Sequence, residues 1–338
     1  MHSALVGFEI RKQPLCEVFT PESFYEGRKK VYLYAENSLR YSCCTGAVWV
    51  NENRSLITAN FQAGCICLYN YNDLLHEFTL HQVIKHSSVS NLIGVDNVAV
   101  SPDGTLLVAT VNLGMQVNVY GIDQTSCFIN PVPLKIIKQK IVRPHGVRFS
   151  HNGYLAYTSI HKDDSKVVIE KIEKNASGSI TTQVVSELKN PYMPLVPKSL
   201  DFTSDDEYVV IIYTQRINAE RTGASRCLIA VHNFDKNAGV IVVNPVCVYE
   251  NTDEFGGGED IKLYKDSYLI FSDQVRSRVL VYAFDKAAGS IGRQVDFLDE
   301  ATSRISFPHG LAISSDDKYL VVTNYGDDKF ALYSLVHT

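Results

Sequence analysis

Two copies of one tripeptide, Pro144-His145-Gly146 and Pro308-His309-Gly310, mark where this chain could do acid–base chemistry. An imidazole titrates near neutral pH and can shuttle a proton. Neither histidine belongs to a linear catalytic motif, and the chain has no Gly-x-Ser-x-Gly elbow. The surrounding residues supply a common frame in which four further positions are equivalent: Thr45, Asp96, Lys198 and Glu259. From Thr45 to His309 the six positions are separated by 51, 49, 53, 61 and 50 residues. Two carboxylates beside two imidazoles can orient them or hold a hard cation. A lysine among them can stabilise negative charge developing on an ester oxygen. A second set of polar positions follows each of the six: Asn60, Thr110, Ser159, Tyr213, Asp273 and Asn324. Residues this far apart cooperate only in a fold that returns each repeat to one axis.

The repeat itself is legible. Asp96 to Gly104 leads into Leu106–Thr110, His145 to Gly153 into Tyr154–Thr158, and Lys198 to Asp206 into Tyr208–Tyr213. Pro308 to Asp317 leads likewise into Tyr319–Asn324, with weaker copies starting near Gly46 and at Glu259. Each copy reads as a short strand, an acidic or glycine turn and a second strand. Third strands follow, as at Cys65–Tyr69, Gln116–Tyr120 and Arg278–Tyr282, and less hydrophobic fourth strands at Phe78–Ile84, Leu134–Ile137 and Ile291–Leu298. Four antiparallel strands per repeat, with no helical periodicity between them, predict an all-β fold: a six-bladed β-propeller, with seven blades as the alternative. The last copy has room for three strands, so the spacing predicts that Lys30–Tyr34 supplies its fourth and closes the ring. Residues 1–29 are then an additional outer strand or part of a degenerate seventh blade, and Ala4–Ile10 reads as an edge strand. The whole chain, 1–338, is expected to form one propeller domain. The first strand of every blade lines the central channel, so the six equivalent positions converge there.

Composition narrows the partners. A formal net charge of −5 without any basic block opposes nucleic-acid or anionic-membrane binding. No window approaches a membrane span, and the first residues do not read as a signal peptide. Eight cysteines lack the density of a disulfide scaffold and read as reduced, mostly buried thiols of a cytoplasmic protein. Cys65 and Cys67 fall on one face of a strand. The polar stretch between Tyr213 and Arg226 should project from one face of the disc as a surface or partner-binding loop. Gly256-Gly257-Gly258 could let backbone approach a ligand, but lacks the strand–turn–helix setting of a phosphate loop.

The copies Asp96–Thr110 and His309–Asn324 resemble the surface-layer or YVTN-type repeats of the lactonase-like β-propeller superfamily, and Leu320-Val321-Val322-Thr323-Asn324 is close to the core of that repeat. The resemblance covers most of residues 45–335. With only Trp49 as tryptophan, the chain does not follow the WD-type pattern. The resemblance implies hydrolysis of a small lactone or cyclic ester, or elimination on a carbohydrate-derived acid, at the channel mouth. His145 or His309 would be the acid or base, Asp96 would orient it, and Lys198 would stabilise the oxyanion. Related metal-dependent lactonases resemble this inventory in using a glutamate, two asparagines and an aspartate for calcium or zinc. The matching candidates here are Glu259, Asn60, Asn324 and Asp273. The alternative is a non-catalytic scaffold that binds a protein through a disc face or the 214–226 loop.

Overall fold

The structure, a computed structural model, describes residues 7–20, 43–138, 140–175, 178–215, 226–250 and 255–337. Those residues form six antiparallel sheets arranged as the six blades of a propeller. The inner strands are Cys44–Val50, Val95–Val100, Pro144–Phe149, Leu195–Phe202, Gly258–Tyr264 and Pro308–Ile313, and each is followed outward by its own second and third strands. Blade four has a divided outer edge, Val240–Ile241 and Cys247–Glu250, both paired with Cys227–Asp235.

The N-terminal segment closes the last blade, but through a different stretch from the predicted one. Phe8–Ile10 pairs with Leu335–His337, and Cys16–Phe19 pairs with Lys329–Leu332. Lys30–Tyr34 lies outside the described residues. Phe8–Ile10 lies within the expected edge strand Ala4–Ile10, whereas the four residues Cys16–Phe19 carry too little alternation to be read from sequence. What locates them is the unpaired edge of Lys329–His337, which only the closed ring reveals.

Blade strands are apolar on both faces because each sheet is sandwiched between two others. Leu320 and Val322 pack toward blade five with Ile270, Val279 and Val281, whereas Val321 packs toward blade one with Leu56, Cys65 and Tyr69. Six such interblade cores surround the axis, and Ile57, Ile66, Leu68, Val98, Leu107 and Ala109 fill the one between blades one and two. Each fully buried Leu, Ile or Val stabilises the packing by roughly 1.5–3 kcal/mol.

One irregularity recurs in all six blades. The register between inner and second strand shifts between Cys44 and Ala47, Val95 and Asn97, Pro144 and Val147, Pro197 and Ser199, Gly258 and Ile261, and Pro308 and Leu311. Thr45, Asp96, His145, Lys198, Glu259 and His309 each lie within or at the edge of one of these bulges. A bulge inserts an extra residue and re-aims its side chain, which in five of the blades brings one polar residue into a shared cluster.

The glycines beside the histidines serve the close approach of neighbouring blades. A Cβ on Gly146 would lie 2.6 Å from the Lys198 carbonyl oxygen, and one on Gly310 would lie 2.1 Å from that of Thr45. Neither glycine has a positive φ. They are small because neighbouring blades approach closely here.

Candidate functional site

The bulges bring Asp96, His145, Lys198, Glu259 and His309 together from five blades. Both histidines are 5 % exposed, Asp96 2 % and Glu259 9 %. Thr45, from the remaining blade, is fully buried, and its hydroxyl donates to the Ala59 and Val95 carbonyls.

His145 is oriented from behind. Its Nδ1 lies 3.0 Å from the Lys198 carbonyl oxygen, which can only accept, so Nδ1 carries a proton. Nε2 then faces Glu259 Oε2 at 3.1 Å and Asp96 Oδ2 at 3.6 Å. His309 is stacked on it, with ring centroids 5.2 Å apart and planes inclined by 24°. The His309 Nε2 atom is 3.5 Å from Asp96 Oδ1 and 3.8 Å from Glu259 Oε2, beyond hydrogen-bonding length. The other His309 nitrogen, Nδ1, and Asp96 Oδ1 are buried with no hydrogen-bond partner among the described residues. Asp96 Oδ2 accepts from Asn112 Nδ2 at 3.2 Å.

Glu259 also receives Lys198 Nζ at 2.8 Å. Burial acts to raise its carboxyl, but Lys198, then His145 and His309, outweigh this and hold it well below the usual carboxylate range. Burial lowers the His309 imidazole, with the charges of Asp96 and Glu259 opposing and those of His145 and Lys198 assisting. The site therefore sets an ionised carboxylate beside a neutral imidazole at pH 7.

Asp96, His145 and His309 form a group of metal-ligating type: one donor atom from each lies within 4.8 Å of the others. Asp96 Oδ1, buried and unpartnered, belongs to this group, so its residues fit a divalent cation. The set inferred from the family resemblance is placed differently. Asn60 Nδ2 bonds Thr58 Oγ1, the Cys65 carbonyl and Cys67 Sγ in its own blade. Asp273 accepts from the Gly256 and Gly257 amides and from Arg278. Asn324 Oδ1 accepts from the Ser306 amide. The glycine run thus approaches Asp273, a residue of its own blade.

Two supporting layers were not read from the sequence. Hydroxyls at the ends of second strands link neighbouring blades through the ring backbone. Thr110 Oγ1 donates to the His145 carbonyl at 2.6 Å, Thr158 to that of Lys198 at 3.2 Å, Ser272 to that of His309 at 2.7 Å and Thr323 to that of Thr45 at 2.6 Å. Each also accepts an amide from its own bulge. The recurrence of Ser or Thr near the end of the second strand was the available signal; Thr110 was assigned instead to the strand-end set, whose true member is Val111, the partner of Val95. One layer deeper, Asp260 is 1 % exposed and joins three other blades: it accepts from Arg148 Nη2 (2.5 Å), Ser199 Oγ (2.6 Å) and the Leu311 amide (2.9 Å). Phe61, Phe307 and Tyr325 form an aromatic wall beside the ring, and Tyr325 stacks on His309 at 6.0 Å. A cleft of about 300 Å³ opens at the hairpin ends of blades one, two and six, lined by Trp49, Val100, Ile313 and Lys262 and by none of the ring residues.

No protein-family model and no curated protein matches the chain. Solved structures do. A candidate 6-phosphogluconolactonase from Bacteroides fragilis aligns over 90 % of this chain and 86 % of its own, at 16 % identity and a TM-score of 0.56. The periplasmic gluconolactonase of Pseudomonas aeruginosa aligns over 76 % and 70 %, at 15 % identity and a TM-score of 0.53. The chain's six-bladed propeller is distantly related in fold to these lactonase-type proteins. The same fold also matches a chain of a mitotic checkpoint complex, over 98 % of this chain and 94 % of that one, at 11 % identity and a TM-score of 0.57.

These likenesses correct one expectation. The cytoplasmic assignment drawn from the thiols is overturned by the periplasmic gluconolactonase, which carries this propeller outside the cytoplasm. The cysteines are free, and Cys43, Cys44, Cys65, Cys67, Cys127 and Cys227 are buried, but burial explains their reduced state in any compartment. No helix among the described residues is long and apolar enough to cross a membrane. Of the loop expected to bind a protein, residues 216–225 lie outside the described residues.

Proposed function

We propose that this propeller hydrolyses a small lactone or cyclic ester at the ring formed by Asp96, His145, Lys198, Glu259 and His309. The observation that carries the reading is the meeting of an ionised glutamate, a lysine and an Asp–His–His group in one water-poor place, each from a different blade. Buried charges aimed at a reacting centre act far more strongly than exposed ones. The fold shared with lactonase-type propellers supports the substrate class.

Asp96, His145 and His309 are the residues that would hold a divalent cation. Bound there, it would supply Lewis acidity toward the ester carbonyl. The other two side chains manage the proton. Glu259, kept anionic by Lys198, accepts a proton from the attacking water as the water oxygen bonds to the carbonyl carbon. The ring C–O bond then breaks, Lys198 stabilises the departing alkoxide, and the proton held by Glu259 passes to it, restoring the carboxylate. The Lys198 carbonyl and the Thr110 and Ser272 hydroxyls fix the ring backbone, so the histidines need no rearrangement.

The test is a pH-stat assay of the metal-replete protein against five- and six-membered sugar lactones and simple cyclic esters. Wild type should turn over at least one class, and Glu259→Gln should lower kcat by about 100-fold or more, in the range of a lost general base. No turnover across the panel would leave the non-catalytic propeller, binding a protein on a disc face, as the better reading.

A further inference from the structure

We infer that the cation of this site is a transition-metal ion of the zinc class, held by the three ligands Asp96, His145 and His309, and not calcium in an oxygen cage. This deepens the hydrolase reading and takes its catalytic meaning from it, but ion binding is measurable without any substrate.

Four observations lead here. First, His145 is oriented by a backbone carbonyl: Nδ1–H points at Lys198 O, so Nε2 faces carboxylate oxygens 3.1 and 3.6 Å away. Lone pair against anion is repulsive unless a proton or a cation lies between them. A ligating histidine is held in this way, its second nitrogen bonded to a carbonyl behind it.

Second, Asp96 Oδ1 is buried without a hydrogen-bond partner among the described residues and lies 3.5 Å from His309 Nε2. An orphaned buried polar atom costs roughly 1–3 kcal/mol. Coordination of one ion by Asp96 Oδ1 and His309 Nε2 satisfies it directly.

Third, Lys198 Nζ lies 2.8 Å from Glu259, so this ammonium is engaged by Glu259. The Asp96 carboxyl group is 2 % exposed and its hydrogen bond is to the amide of Asn112, with no cationic side chain of lysine or arginine against it among the described residues. Buried carboxylates are ordinarily paired or metal-bound.

Fourth, spacing and donor type select the ion. Ligands about 2.0–2.1 Å from a common zinc stand about 3.3–3.4 Å apart when tetrahedral. His145 Nε2 is 3.6 Å from Asp96 Oδ2, His309 Nε2 is 3.5 Å from Asp96 Oδ1, and one donor of each residue lies within 4.8 Å of the others, so the three side chains close in on a small ion by about 1 Å or less. Two imidazole nitrogens suit zinc, cobalt or nickel. Calcium prefers six to eight oxygens, and this group offers one carboxylate and two nitrogens. Three protein ligands, not four, is the composition of a catalytic zinc site with a position open to water or substrate.

The experiment uses the full chain after chelator treatment, titrated calorimetrically with zinc chloride and then with calcium chloride, with metal content measured by mass spectrometry. Wild type should take up one equivalent of zinc and bind it at least about 100-fold more tightly than calcium. His145→Ala/His309→Ala should lose that equivalent while keeping the wild-type circular dichroism spectrum. If the double variant does not fold, Asp96→Asn should weaken zinc by about 10-fold or more. Cobalt(II) loading separates this site from the buried thiols, because nitrogen and oxygen ligands give a visible d–d spectrum without the thiolate charge-transfer band. Absence of zinc uptake, uptake unchanged in the double variant, a thiolate band, or calcium binding as tight as zinc would each overturn the inference. Lactone turnover undiminished in the metal-free protein would sink the zinc role and leave the hydrolase standing. Zinc bound at these residues with no turnover would do the reverse.

Discussion

Replacing Asp260 with alanine tests whether the layer beneath the ring holds it in place. The side chain is 1 % exposed and accepts four bonds, from Arg148, Ser199 and the amides of Ile261 and Leu311. Its loss strips the buried Arg148 guanidinium of its nearest carboxylate. Asp201 remains, 3.8 Å from an Nε that has no hydrogen bond. Removing one partner of a buried ion pair costs about 3–5 kcal/mol. Two amides also lose their acceptor, at roughly 1–3 kcal/mol each where water cannot replace it. Relaxation of the surrounding side chains relieves part of this, so the expected loss is about 4 kcal/mol, a large share of the 5–15 kcal/mol typical of folded proteins. Urea unfolding followed by tryptophan fluorescence at Trp49 gives the change. The double variant Arg148→Met/Asp260→Leu removes both charges and should recover about 2 kcal/mol relative to the sum of the single changes. An Asp260→Ala loss under about 1 kcal/mol, or strict additivity in the cycle, would refute the idea that Asp260 is the strut of the channel.

Other perturbations follow from the same contacts. Gly310→Ala places a Cβ 2.1 Å from the Thr45 carbonyl oxygen, and the forced separation of blades six and one should destabilise by about 3 kcal/mol, measured as a lower Tm. Lys198→Met removes the largest influence holding the Glu259 carboxyl down, so burial prevails and the acid limb of the activity profile should move to higher pH; an unmoved limb would remove Glu259 from the role of base. Burial lifts the Asp327 carboxyl to about 6, against the opposing effect of Lys329. A carboxyl raised on folding destabilises fully above pH 6, and the penalty fades as pH falls toward its unfolded value near 4. Asp327→Asn should therefore stabilise the protein at pH 7 by about 2 kcal/mol and not at pH 4, as read by urea midpoints at the two values. Asp260 behaves oppositely. Despite the upward push of burial, Arg148 and its hydrogen bonds hold it below the usual range, so its contribution is present above pH 4 and is lost as pH falls through the folded value.

The blade repeat was readable because propeller strands bury both faces and keep a constant length. Sequences such as Leu320-Val321-Val322 therefore recur with the same turns between them. The inward-facing positions were readable for the same reason: a bulge in each blade holds one residue of each repeat in the same frame. The closing pairing was not: Phe8–Ile10 falls in a readable edge strand, but its partner, and the strand Cys16–Phe19 as a whole, are set by the edge they meet. Asp260 was also missed, although it is adjacent to Glu259. Nothing local distinguishes a carboxylate that caps three other blades from one that faces solvent.

Chain order and residue type determined six repeats, the axis they share, and the identity of the residues turned toward it. Periodic burial and turn chemistry are local properties, and they survive translation into a string of letters. Which of those residues act together was decided only by the closed ring. Glu259 became the lysine-held carboxylate and Asp96 the partner of two histidines because blades two, three, four, five and six place them within 4 Å of one another or of a shared neighbour. Asn60, Asp273 and Asn324 have the right chemistry, but their side chains bond inside their own blades. Coordination and proton transfer depend on separations of a few tenths of an ångström, and those are set by how six sheets pack against one another.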